Sequence, residues 1–169
     1  GSTLTVDNIV GATTAANVKL PAGAVLQMQT NSLSGNSAQY TGTAFTDTGL
    51  AVNITPKFAT SKIFVLVTQQ IGITKSASSA LARMDTRLME TNSGTLISAT
   101  VFQGLDTMGT GNSSFIHCQH GHFQCSNTNQ LTFKTQVQKA NSTANEAGTI
   151  YMRWYHDSKH NITAMEIAQ

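Results

Sequence analysis

A chain of 169 residues is one ordinary domain's worth, long enough to bury a core without help from disulfides or metals. Charged residues make up 11% of it and the formal net charge is +2, which excludes the basic stripe that a phosphate backbone requires, so nucleic acid is not expected as a partner. Two prolines and 40% apolar residues exclude a disordered tract, and the apolar runs are too short to cross a bilayer, so membrane insertion is not expected.

Gly1 and Ser2 read as the remnant of a cleaved tag, and no charged-then-apolar leader follows them. Residues 1–22 are expected to form a stem: a short extended piece at 3–7, a small polar stretch at 11–17, and a turn at Lys19, Leu20, Pro21, Ala22 and Gly23 that enters the main domain. Residues 23–169 then show period-two alternation in short runs bounded by Gly, Asn, Ser and Thr, the pattern of half-buried strands. Strands are expected at 24–30, 50–54, 63–73, 82–90, 95–102, 115–125, 130–138, 149–155 and 162–167. The fold class is therefore all-β, with polar connections of hairpin or sandwich length.

Within that frame, 63–73 begins apolar on both faces and turns polar, which suits a central strand emerging from the core. The segment at 82–90 has good helix formers, yet Met84, Thr86, Leu88 and Glu90 alternate with Arg83, Asp85, Arg87 and Met89 as a strand does. Leu131, Phe133, Thr135 and Val137 alternate cleanly with polar neighbours, placing one face inward. The expected core is Leu50, Val52, Ile54, Ile63, Val65, Val67, Leu131, Phe133, Val137, Ile150, Met152 and Ile162. A stem that buries little by itself favours pairing with copies of itself around an axis, with Leu4, Val6 and Ile9 facing one another.

Three stretches carry a resemblance. The first is Leu4, Thr5, Val6, Asp7, Asn8, Ile9, Val10 and Gly11, followed by Leu20, Pro21, Ala22, Gly23, Ala24, Val25, Leu26 and Gln27. The second runs from Phe45, Thr46, Asp47, Thr48, Gly49 and Leu50 through Asn53, Ile54, Thr55 and Pro56 to Ser61, Lys62 and the apolar strand after it. The third is Asn161, Ile162, Thr163, Ala164, Met165, Glu166, Ile167 and Ala168. In order and spacing along essentially the whole chain they resemble a family of bacteriophage tail-fibre and related virion proteins common in marine phages. What the resemblance implies is a sandwich of jelly-roll type at the tip of a homotrimeric fibre, located on the virion, joined to other virion proteins and mediating attachment to a host-surface glycan or protein. A purely structural virion module, such as a head fibre or decoration protein, is the alternative, and a glycan-cleaving tailspike a third.

No catalytic constellation supports the third. Asp85 and Glu90 lie five apart on one strand and so on opposite faces, and the remaining acids are scattered, whereas glycoside cleavage needs two converging carboxylates. Cys118 and Cys125 fit neither a disulfide framework nor a zinc module, and no third group orients a Cys–His pair, so reduced thiols and no enzyme are expected. The histidine-rich stretch departs from the family pattern. On one strand Cys118, His120 and His122 share a face, while Phe115, His117, Phe123 and Cys125 share the other, which the phenylalanines mark as core. His120 and His122 would point outward, and three copies around an axis would offer six imidazoles to a transition metal; no other cofactor is expected. For binding, the short polar side chains of Asn112, Ser113, Ser114, Asn127, Asn129, Asn141 and Asn145 suit sugar hydroxyls on loops, and alternation puts Tyr151 and Tyr155 on an exposed face with Trp154 in the core.

Overall fold

The computed structural model describes residues 21–34, 38–75, 83–103, 111–139, 148–151 and 159–169, with the side chains of 75, 101–103, 111–113 and 148–151 left aside. The expected extended piece at 3–7, the rest of the stem up to residue 20, and Met152, Trp154 and Tyr155 lie outside the described residues, and so does the side chain of Ile150.

The described residues form ten strands: β1 Val25–Leu33, β2 Gln39–Tyr40, β3 Thr46–Ile54, β4 Lys62–Lys75, β5 Arg83–Glu90, β6 Leu96–Gln103, β7 Gly111–Gln124, β8 Leu131–Lys139, β9 Gly148–Tyr151 and β10 His160–Ile167. The segment at 82–90 is a strand as its alternation requires: Met84, Thr86, Leu88 and Glu90 are all buried, so the inward face outweighs helix propensity. At 46–54 the strand is longer at its start than the apolar run suggests. A register shift between Asp47 and Ala51, with Gly49 at φ 83°, lets Thr48 turn inward, and only Gly adopts that backbone without strain.

All pairings are antiparallel and nested. β1 and β2 pair with β10 and β9, β3 with β8, β4 with β7, and β5 with β6, so the chain is one long ribbon whose tip is the β5–β6 turn. Rolling the ribbon sets β10 and β9 beside β4, and β8 beside β5. Two sheets result, β1-β10-β4-β7 with β9 and β2 extending it, and β3-β8-β5-β6. This is a jelly roll, an architecture that buries one face of each sheet against the other.

Of the expected core residues whose side chains are described, all are buried. One reading needs correction: β4 does not emerge from the core. Its inner face stays buried from Ile63 to Ile73, and the second apolar row, Phe64 and Leu66, lies on the outside of the sheet, where Leu66 is 40% exposed. The polar change that suggested emergence is Gln69, which is buried.

Gln69 belongs to a belt that the apolar count hides. A large cluster around Leu50, Val65, Leu88, Phe133 and Ile162 is separated from a smaller one, Ile71, Ile73, Met84 and Val137, by Thr48, Gln69, Thr86, His117, Gln119 and Thr135, all buried. On β4, β5 and β8 the polar residue stands between a member of each cluster. Thr48 bonds the carbonyl and hydroxyl of Thr135, and Thr86 Oγ1 lies 3.2 Å from His117 Nε2. Both polar atoms of the Gln69 amide lack a hydrogen-bond partner among the described residues.

Candidate functional site

Strand β7 runs the length of the molecule, and the candidate binding residues fall at its two ends. Asn112 and Ser114 pair with Thr74 and Gly72 near the end of β4, and Tyr151 pairs with Gly72 on the other side. Asn127 and Asn129 follow the opposite end of β7. At about 3.3 Å per residue, the strand separates the two groups by about 40 Å, so they do not form one site. Asn141, Asn145 and Tyr155 lie outside the described residues, as do the side chains of Asn112, Ser113 and Tyr151.

The ends differ in what else meets there. Gly23 N donates to Ala168 O (2.8 Å) and Ala168 N to Ala24 O (2.9 Å), so both ends of the described fold leave beside Asn127 and Asn129. At the other end β4 finishes, β5 and β7 begin, β6 and β8 finish, and β9 begins.

At the terminal end, the 91–95 turn and the 125–130 loop flank an open pocket of about 420 Å³. Phe123 and Leu131 line its apolar side; Asn92, Asn127 and Asn129 supply amides. Glu90 at its wall is not poised for chemistry. Burial raises its pKa, but the hydroxyl of Ser93 and the N–H groups of Asn92, Ser93 and Thr132 outweigh that and hold the carboxyl below the usual range. It is a staple for the turn, with no proton to give at neutral pH. Asp85, on the outer face as alternation requires, accepts from Gln138 at 2.9 Å. Cys125 is buried, and burial with the Glu166 carboxylate pushes its thiol up to about 11, the reverse of nucleophile activation.

The two faces of β7 divide as the alternation indicates. His117, Gln119 and Cys125 are buried, while Cys118, His120 and His122 are exposed. Burial drives the His117 imidazole down to about 4, against a smaller opposing effect of Gln119. Between His120 and His122, Gly121 turns inward where a Cβ would stand 2.6 Å from Ile97 Cγ2 and 3.0 Å from Ile97 O. Glycine there lets β6 close the edge of the sandwich over β7. His120 also stands 6.0 Å from the Phe64 ring. Among the described residues no group of three or more His, Cys, Asp or Glu could hold a metal ion, so each copy offers two imidazoles at this position.

No family model matches the chain. No curated protein matches it. Among solved structures, the chain is similar to the VP2 subviral particle of infectious bursal disease virus, at 13% identity and a TM-score of 0.35 over 85% of this chain and 42% of that one. A mutant VP2 protein of the same virus in derived T=1 particles gives 13% identity and 0.35 over 86% of this chain and 41% of that one. The chain thus spans less than half the length of these viral proteins, and a likeness of this degree carries no inference about what the chain does.

Proposed function

We propose that this chain is the tip module of a phage-type virion fibre, a homotrimer joined to other virion proteins at one end and to a host-surface glycan or protein at the other. The observation that carries the reading is the location of the chain ends. Residues 21–24 and 168–169 lie together at one end of the roll, which favours a tether at that end. The opposite end, where β4 finishes and β7 begins with Asn112, Ser113 and Ser114, is remote from residues 21–24 and 168–169. A rigid sandwich tethered at one end and presenting loops at the other is the arrangement that attachment requires. The three sequence motifs supply the virion context. No catalytic step is part of this reading, and a metal at His120 and His122 would need more than one copy to complete its ligands.

The test is binding of the full chain, fluorescently labelled at its N-terminus, to a panel of bacterial strains and their purified surface polysaccharides. Saturable binding should be lost on Ser114→Arg, which alters the end remote from the termini, and kept in Asn129→Ala beside them. The reverse pattern would place the contact at the wrong end. Absence of binding throughout would leave the module a structural part of the virion.

A further inference from the structure

We propose that the outer face of the β1-β10-β4-β7 sheet seats a second copy of this chain. The register aligns its side chains in rows: Met28, Met165, Phe64 and His122; then Thr30, Thr163, Leu66 and His120; then Ser32, Asn161, Thr68 and Cys118; then Gln70 and Ile116. Three of the five large apolar residues exposed among the described ones lie in these rows, Ile116 at 73%, Met28 at 60% and Leu66 at 40%, and Val25 at 52% stands at their margin opposite Ile167. Isolated exposed apolar residues are ordinary, but a contiguous set on one sheet face marks a contact surface.

The occupant follows from charge and from hydrogen bonding. These rows contain no Asp, Glu, Lys or Arg, and Lys62 stands only at the margin, opposite Ile167 and Gln124. Close to a rotation axis a residue meets its own copies, so a charge there would meet its like, and juxtaposed like charges cost several kcal/mol. A face without charge escapes that cost, while a charged partner would find nothing here to pair with. A sugar fits poorly as well, because it needs open donors and acceptors. Here Thr30 and Thr163 hydroxyls already pair at 3.1 Å, and Ser32 donates to Asn161 Oδ1 at 2.6 Å. Polar groups paired within the sheet can lose water without being orphaned.

Strands about 4.8 Å apart, with outward residues about 6.6 Å apart along each, give these rows a projected area of about 440 Å². Stable interfaces bury about 800 Å² per partner, so this face supplies about half of a standard contact. With a rotation axis parallel to the strands, every copy has residues 21–24 and 168–169 at the same end.

The proposal is independent of host attachment, since a chain that assembles through this face yet binds no cell keeps the first property and lacks the second. It also contains its own reporter, because Cys118 is exposed on the face and Cys125 is buried away from it. In sedimentation equilibrium at micromolar concentration, the full chain should give a multiple of 18.0 kDa. Its faster-reacting thiol should become less reactive toward an aromatic disulfide as concentration rises. Leu66→Glu and Ile116→Glu, with circular dichroism unchanged, should shift the mass to the monomer and abolish that protection. Asn53→Glu, on the exterior of the other sheet, should leave both unchanged. A monomeric wild type, or folded Leu66→Glu and Ile116→Glu variants that keep the wild-type mass, would overturn the proposal. If those variants fail to fold, the wild type decides it alone: Cys118 reactivity independent of concentration overturns the proposal.

Discussion

On the exterior of β3-β8-β5-β6, Asp47 accepts from Lys134 at 2.7 Å and from Gln136, Arg87 donates to Gln136 at 2.7 Å, and the Arg87 guanidinium sits 3.9 Å over the Phe45 ring. On the exterior of β1-β10-β4-β7, the corresponding rows are Met, Phe, Leu, Ile, Thr, Ser, Asn, His and Cys. Each sheet buries its other face in the same core, so burial does not distinguish them. What differs is the lateral order of the exposed groups. One exterior is a lattice in which the Asp47–Lys134 ion pair is joined through Gln136 to Arg87, content in water. The other is uncharged, with its hydroxyls paired among themselves and its apolar side chains left open. In a chain with so few charges, where the charges are placed says more about partners than their sum does.

That contrast is sharpened by asking how much each layer contributes to folding. Phe133 is fully buried beneath both exteriors, edge-on to Phe123 at 5.9 Å between ring centroids. Phe133→Ala should lower the unfolding free energy by about 3 to 5 kcal/mol in urea titrations, since cavity formation adds to lost transfer energy. A loss of a few tenths would mean that stability resides in the exterior layers instead.

The interior belt gives the next largest effect, and it depends on pH. His117 titrates at about 4 in the folded chain against 6.5 as its ordinary value, so the unfolded state binds the proton first as pH falls. Stability that is complete above about pH 6.5 should therefore decline as pH drops toward 4 and level off below it, by about 3 kcal/mol for this one group. The difference between the wild type and His117→Gln, measured by thermal or urea unfolding across that window, isolates it from the carboxylates. A difference that does not change with pH would remove His117 from the account.

The charged exterior should contribute least. Burial raises the Asp47 carboxyl, but hydrogen bonds from Lys134 and Gln136 and the charges of Lys134 and Arg87 outweigh it and hold the carboxyl below the usual range. Asp47 and Lys134 are 51% and 27% exposed, so solvent screens the pair and Asp47→Asn should cost under about 1 kcal/mol, less at high salt. An effect comparable to that of Phe133→Ala would mean that the charge lattice holds the sheet rather than decorating it.

Most strand positions, the inward faces of β5, β7 and β8, and the outward direction of His120 and His122 follow from the sequence alone; β2 and the start of β3, which carry no apolar alternation, do not. Side chains alternate on a strand whatever lies beyond it, and apolar residues mark the covered face. Alternation also puts Gln119 on the inward face with His117, Phe123 and Cys125, although composition gives no hint of a buried amide there. Three things required the tertiary structure. Which of two apolar faces of β4 is core depends on which meets the second sheet, so Phe64 and Leu66 could not be told from Ile63 and Val65 by pattern. The polar belt exists because antiparallel register sets Gln69 opposite His117 and the packing of the two sheets brings Thr86 to 3.2 Å from His117, and neither relation is written in any one strand. The separation of Asn112 and Ser114 from Asn127 and Asn129 has the same origin: short polar residues flank both ends of β7, and only the roll of the ribbon decides that residues 21–24 and 168–169 lie at one of those ends.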